Sequence, residues 1–398
     1  MDKEKLRRLD VLMNDQLKNG VMTGGTLCVI KDGEQLYRKN FGMADTARKI
    51  PVRDNTIFRL YSMTKPITAA ATMILYDRGV IDLYDSVSWY IEGFKNQKVA
   101  TDKGLVPVNR DVNIKDLLTM TSGLVYPERG TPAGDAMSDL FDEYYKGVFA
   151  GRGMSTLEMR SIIGMQPLCA QPGEIWNYGT SADILGGVIE VVTGKRFGEF
   201  LRDEIFEPLD MNDTDFYVPA EKRDRLAEIY IRNENGGLEP CEWQHLGLAY
   251  KYQKPPEFEI GGAGLVSTVS DYAKFAQMLL NGGVYKGRRI LSEHAVSLLT
   301  TNHLTDGQRS TYGWESCYGC GYGGLMRVLE DQWTAGAGVK GEYGWDGWTG
   351  NYFCNDPVNK LTFLYFIQVG GGNGQRPIRT LKQAVYGAIE NDLSPLSQ

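Results

Sequence analysis

A serine and a lysine three residues apart, Ser62 and Lys65, stand at the head of an alanine-rich stretch. On a helix such a pair shares one face, with Cβ atoms about 5–6 Å apart. An amine at that distance can take the proton of a hydroxyl, so Ser62 reads as a nucleophile and Lys65 as its base. Ser-x-x-Lys alone is a weak signal, although it occurs once in this chain. The same residues also describe a capped core helix that carries a chance lysine.

Two further stretches hold residue types that such a pair could use. Tyr178 lies in Trp176-Asn177-Tyr178-Gly179-Thr180-Ser181, after the turn Pro172-Gly173. A phenol ionises near pH 10, as a lysine does, so Tyr178 could share a proton with Lys65 if the two approach. A tyrosine stacked under a loop is the plainer account. Gly344-Trp345-Asp346-Gly347-Trp348-Thr349-Gly350-Asn351-Tyr352-Phe353 reads as a loop entering a strand. Glycines at a strand edge let backbone N–H groups come close to a ligand, as an oxyanion hole requires. Trp345 and Trp348 fit either an apolar acyl pocket or hairpin packing. A histidine triad has little support. There is no Gly-x-Ser-x-Gly, and His245, His294 and His303 lack a catalytic context.

The elements around these residues can be read from periodicity. Ser62 is expected as a helix N-cap, with Pro66 in the first turn. Ile67, Ala70, Ala71, Ile74 and Leu75 continue the helix to Gly79. Residues 3–18 form an amphipathic helix. Thr26–Ile30 and Gln35–Phe41 form a hairpin about Asp32-Gly33. Helices are expected at Ile114–Met120, Leu157–Gly164 and within Ser181–Glu207. Strands are expected at Gly264–Ser267, Gln332–Val339, Gly350–Asn355 and Leu361–Val369, with a closing helix at Ile378–Asn391. The implied class is α+β: one antiparallel sheet built from both termini and flanked by helices, plus a helical subdomain. Residues 1–81 and 212–398 would form the α/β lobe and residues 82–211 the mainly helical one. Sites commonly lie in the cleft between two such lobes.

The 398 residues can bury a sizeable core, and 42% hydrophobic with 23% charged residues is ordinary globular composition. A net charge of −7 without a basic block argues against nucleic acid. No stretch is long enough to span a membrane. The start of the chain lacks a signal-peptide pattern, so cytoplasm is the expected location. Six cysteines do not make a disulfide scaffold. Cys317-Tyr318-Gly319-Cys320 has ligand spacing but no second pair to complete a zinc site. No metal or cofactor is expected, and the partner is a small-molecule ester or amide.

In order, Ser62-x-x-Lys65, Tyr178 and Trp348-Thr349-Gly350 resemble the three motif boxes of the serine β-lactamase and penicillin-binding-protein superfamily. The likeness is greatest to its class C branch and the family VIII carboxylesterases. Phe58–Thr68, 117–124, Ile205–Tyr217 and Gly261–Gly283 look like the same branch, so the resemblance spans about residues 20 to 370. It implies that Ser62 forms an acyl-enzyme while Lys65 and Tyr178 shuttle the proton. It also implies that the backbone N–H groups of Ser62 and Asn351 form the oxyanion hole. Substrate would meet Trp345, Trp348, Thr349, Gly350 and Thr180. Two departures bear on the substrate. Thr180 replaces the asparagine of Tyr-x-Asn, and Trp348 replaces the cation of Lys-Thr-Gly that clamps a substrate carboxylate. A charge-assisted contact of about 1.5–3 kcal/mol is thereby lost. The resemblance with these departures implies an esterase. The alternative is an amide hydrolase of the same fold (a D-amino-acid peptidase or weak β-lactamase) or an acyl transferase.

Overall fold

The computed structural model describes residues 3–242, 245–246, 252, 254–309, 311–372 and 374–389. Eight strands make the main sheet: β1 (Gly24–Lys31), β2 (Glu34–Asp45), β3 (Ile50–Pro51), β4 (Cys320–Tyr322), β5 (Arg327–Leu329), β6 (Tyr343–Asp346), β7 (Tyr352–Asp356) and β8 (Leu361–Ile367). Their order is β4-β5-β6-β7-β8-β1-β2-β3, with every pairing antiparallel. The two ends of the sequence meet where β1 pairs with β8, Cys28 opposite Leu364. The sheet is thus built from both termini, as the sequence implies.

Helices α1 (Arg8–Lys18), α2 (Thr64–Asp77), α4 (Val269–Leu280) and α5 (Arg376–Tyr386) flank the sheet, and α3 (Ser181–Thr193) packs on α2. Side chains of a strand alternate between faces, and here both faces are covered. Leu27 and Val29 of β1, with Phe363 and Tyr365 of β8, pack with Leu9 and Met13 of α1 and Leu381 and Val385 of α5. Cys28, Leu364 and Phe366 join the opposite core with α2 and α4. Burial on both faces explains why Leu361–Ile367 is apolar without alternation. Helix α2 is buried nearly all round, from Thr64 to Leu75, and its alanines let neighbouring elements approach closely.

Three expectations need correction. Ser62 is not a helix N-cap: α2 begins at Thr64, and Ser62 sits in the preceding 3-10 turn, Tyr61–Met63. Gln332–Val339 is not a strand. Asp331 accepts hydrogen bonds from the N–H groups of Trp333 and Thr334, starting a short helix, Gln332–Ala335, which Gly336 ends at φ 73°. The closing helix begins earlier, at Arg376, and stops at Tyr386; Asn391 lies outside the described residues. The stretch 181–207 is also broken, by Gly194 in the left-handed region. Among the described residues no helix is long and apolar enough to cross a membrane.

Candidate active site

Tyr61 takes φ 47° just ahead of Ser62, a left-handed backbone that bulky residues rarely adopt. Surrounding bonds hold the turn there. Leu60 N–H donates to the Leu265 carbonyl at 2.9 Å, Leu265 N–H donates to Thr64 Oγ1 at 3.1 Å, and the Tyr272 hydroxyl donates to the Met63 carbonyl at 2.9 Å. The Tyr61 ring packs on Trp348, centroids 5.0 Å apart. Backbone strain overdetermined in this way is typical of functional turns.

Lys65, one turn of chain further on, is fully buried. Its Nζ lies 3.2 Å from Ser62 Oγ, 2.8 Å from the Tyr126 hydroxyl and 2.8 Å from the Gly262 carbonyl. An ammonium could donate to all three, while a neutral amine donates to two and accepts from the third. Burial pulls its pKa down to about 7, against the opposing charges of Asp183 and Asp346. Asp183 itself accepts a hydrogen bond from Gly262 N–H at 2.8 Å, and burial raises its pKa.

Tyr178 completes the cluster. Its hydroxyl donates to Ser62 Oγ at 2.7 Å, and burial raises its pKa, so the phenol keeps its proton near neutrality. Asn177 fastens its loop, with N–H donating to the Met120 carbonyl at 2.8 Å and Nδ2 to the Leu124 carbonyl at 2.9 Å. Gly179 permits that approach, because a Cβ there would stand 2.2 Å from the Leu124 carbonyl oxygen. Trp314 closes on the Tyr178 ring edge-on at 4.6 Å.

Ser62 and Tyr178 open onto a cavity of about 540 Å³ whose walls include Tyr126, Glu128, His245, Trp314, Asp346, Trp348 and Gly350. Trp348 stacks on His245 at 4.2 Å, and burial pulls the imidazole down to about 4, leaving it neutral. Among the described residues, no lysine or arginine lines this space; Glu128 and Asp346 are its carboxylates.

Three residues expected on the wall lie inside the protein instead. Trp345 is 1% exposed and sits behind Tyr178, its Nε1–H donating to the Tyr178 oxygen at 3.3 Å. Thr349 Oγ1 donates to the Arg59 carbonyl at 3.2 Å and Thr180 Oγ1 to the Val125 carbonyl at 3.4 Å, both without exposure. Each hydroxyl satisfies a buried backbone acceptor. The Asn351 side chain is equally internal, with Nδ2 donating to the Arg59 carbonyl at 2.7 Å. Sequence reasoning missed Tyr126, which sits two positions beyond the 117–124 segment and carries no motif of its own. It also missed Trp314, Glu128, Asp346 and His245 as wall residues. Cys317 and Cys320 are buried, with burial pushing their thiols up to about 11 and about 12. No group of three or more metal-ligating side chains occurs among the described residues.

Comparison with known proteins identifies the family and the fold. The family model described as Beta-lactamase matches residues 9–388. Protein Rv1367c of Mycobacterium tuberculosis is 32% identical over 360 residues, covering 88% of this chain and 86% of the relative. Esterase EstB of Burkholderia gladioli is 27% identical over 396 residues, covering 95% and 94%. The solved structure of EstCE1, a hydrolase with promiscuous acyltransferase activity, superposes with a TM-score of 0.79 at 24% identity, covering 97% of this chain and 99% of that one. That likeness shows a shared β-lactamase-like fold.

Proposed function

The chain belongs to the Beta-lactamase family, and from that premise we propose that it hydrolyses neutral carboxylic esters through an acyl-enzyme on Ser62. One observation carries the reading: Ser62 Oγ lies between a buried amine at 3.2 Å and a phenol at 2.7 Å. Neutral Lys65 takes the Ser62 proton as Oγ bonds to the ester carbonyl carbon. Tyr178 gives its proton to the departing alkoxide and is reset by the proton held on Lys65. A water then repeats the sequence in reverse and releases the acid. The backbone N–H groups of Ser62 and Asn351 would receive the oxyanion, and losing one such donor typically costs about 3–4 kcal/mol. Packing supports that pairing, since Asn351 is tied to the Arg59 carbonyl and a Cβ on Gly347 would stand 2.3 Å from the Leu60 carbonyl oxygen.

Ester rather than anionic amide follows from the walls. Trp348 occupies the place of a carboxylate-clamping cation, and Glu128 on the wall would repel a substrate anion, while Asp346 is balanced by Arg327. The esterase name of the Burkholderia relative points the same way. Tyr126 and Tyr178 come from the 82–211 segment and Ser62, Lys65 and Trp348 from outside it, so we read the site as a cleft between two lobes. Wild type and Ser62→Ala should be compared on p-nitrophenyl butyrate and nitrocefin. Ester turnover that disappears in Ser62→Ala, with little nitrocefin hydrolysis, is expected. Ser62-dependent turnover of nitrocefin in preference to the ester would instead establish the amide hydrolase.

A further inference from the structure

The indole N–H of Trp345 is a donor with no acceptor capacity, and it donates at 3.3 Å to the same Tyr178 oxygen that donates to Ser62 Oγ at 2.7 Å. We propose that Trp345 is a positioning residue that sets the direction of the proton relay: Trp345 N–H to Tyr178, Tyr178 O–H to Ser62, Ser62 O–H to Lys65. The inference rests on the acyl-enzyme reading above and concerns the order of its proton transfers.

Each link follows from the one before. A phenol oxygen receiving the indole proton turns its own hydrogen to the remaining partner, Ser62 Oγ, at 2.7 Å. Ser62 Oγ is then an acceptor toward Tyr178, and its hydrogen is left for Lys65 Nζ at 3.2 Å. Lys65 can accept it only as a neutral amine, whose two hydrogens go to the Gly262 carbonyl and the Tyr126 hydroxyl, both at 2.8 Å. The ground state therefore has the serine proton already aimed at the base and the tyrosine proton aimed at Ser62 Oγ, the oxygen that leaves when the acyl-enzyme is hydrolysed. An ammonium at Lys65 would break this order, leaving the Ser62 hydroxyl without an acceptor among the described residues.

Trp345 is placed by what surrounds it. It projects from β6 opposite Phe353, packs edge-on against Tyr322 at 5.2 Å and lies on the Arg327 guanidinium at 5.6 Å. Arg327 in turn holds Asp346 through Nη1 at 3.1 Å. The charged and titratable groups facing the relay are Asp183 of α3, Asp346 at the end of β6, Tyr126, Tyr178, Cys317 and, behind Trp345, Arg327. Glu128 and His245 stand on the cavity wall. Replacing the indole N–H alone changes none of them.

The test is the pH dependence of kcat/KM on p-nitrophenyl butyrate for wild type, Trp345→Phe, and protein carrying benzothienylalanine at Trp345, which keeps the bicyclic shape and lacks the N–H. Without the donor, Tyr178 can turn its hydrogen to the cavity it lines and accept from Ser62, and the ammonium form of Lys65 no longer strands a hydroxyl inside the protein. The acid limb should then move to higher pH by about half a unit to one unit, the equivalent of one net hydrogen bond. kcat should fall about tenfold in both variants with KM little changed. A fluorophosphonate should still label Ser62 in all three proteins. An unmoved acid limb in the isostere, with activity lost only in Trp345→Phe, would make Trp345 a packing residue and overturn the inference. Failure of the wild type to be labelled at Ser62 would overturn the parent reading instead.

Discussion

At the scale of single residues, the demanding requirement is Lys65. Keeping an amine of ordinary pKa about 10.4 neutral at pH 7 costs roughly 4–5 kcal/mol. Complete burial supplies that bias, and Asp183 and Asp346 limit it, leaving the amine near 7. Because the neutral form is the base, kcat/KM should rise with pH through about 7 and level off above it; a pH profile with a stable ester reads this directly. A profile flat from pH 5 to 9 would contradict the assignment. Lys65→Ala should cost nearly as much turnover as Ser62→Ala, since groups that act as a unit do not contribute additively. Near-normal turnover in Lys65→Ala would rule Lys65 out as the base. Tyr126 shares the Lys65 amine at 2.8 Å, and Tyr126→Phe keeps the ring while removing that partner. Its kcat should drop about 10- to 100-fold, the worth of a hydrogen bond to a charged or charging group. The unfolding free energy should fall by no more than about 1–3 kcal/mol, the cost of one lost buried partner.

At the scale of elements, the site depends on how closely two loops approach. Residues 120–126 and 176–180 are in contact at Gly179, where any side chain would collide with the Leu124 carbonyl oxygen. Gly179→Ala should cost about 1–3 kcal/mol in urea unfolding. It should cost disproportionately more in kcat, because the displaced loop carries Tyr178. A stability loss without a larger kcat loss would mean that the loop does not set the phenol. This dependence on approach also explains which features could be read in the sequence. Ser62, Lys65, Tyr178 and Trp348 belong to recognisable boxes, and helix α2 and strands β1, β2 and β8 announce themselves by apolar runs and turns. Strands β4 and β5, at three residues each, are too short to show a period. Gln332–Val339 shows the opposite failure: Trp333, Thr334 and Val339 favour a strand, but the Asp331 cap and the left-handed Gly336 win locally. Tyr126 and the inward turn of Trp345, Thr349 and Thr180 depend on tertiary contacts that no local pattern encodes.

At the scale of the whole molecule, the last helix ties the sheet to the cavity. Lys382 of α5 is buried beside Glu342, just ahead of β6, and forms an ion pair with it. Tyr386 adds a hydrogen bond to Glu342 at 3.0 Å. Burial alone would lower the lysine pKa, but the Glu342 charge overrides it and the net direction is upward. Four and five residues before Lys382 on the same helix, a little over one turn, Ile378 and Pro377 line the cavity. Removing one partner of a buried pair leaves the other charge uncompensated, typically at about 3–5 kcal/mol, whereas removing both is often neutral. Lys382→Met should therefore lower the urea midpoint strongly, and Lys382→Met with Glu342→Leu should recover most of the loss. The effect on catalysis should be a raised KM with kcat within about twofold, because the anchor positions part of the wall and none of the relay; uniform binding lost in this way leaves the chemical step alone. An equal fall in kcat, with KM unchanged, would mean instead that α5 transmits its position through β6 to Trp345 and Tyr178. The double variant separates the cases: restored stability with a persistently raised KM assigns the wall to α5 itself.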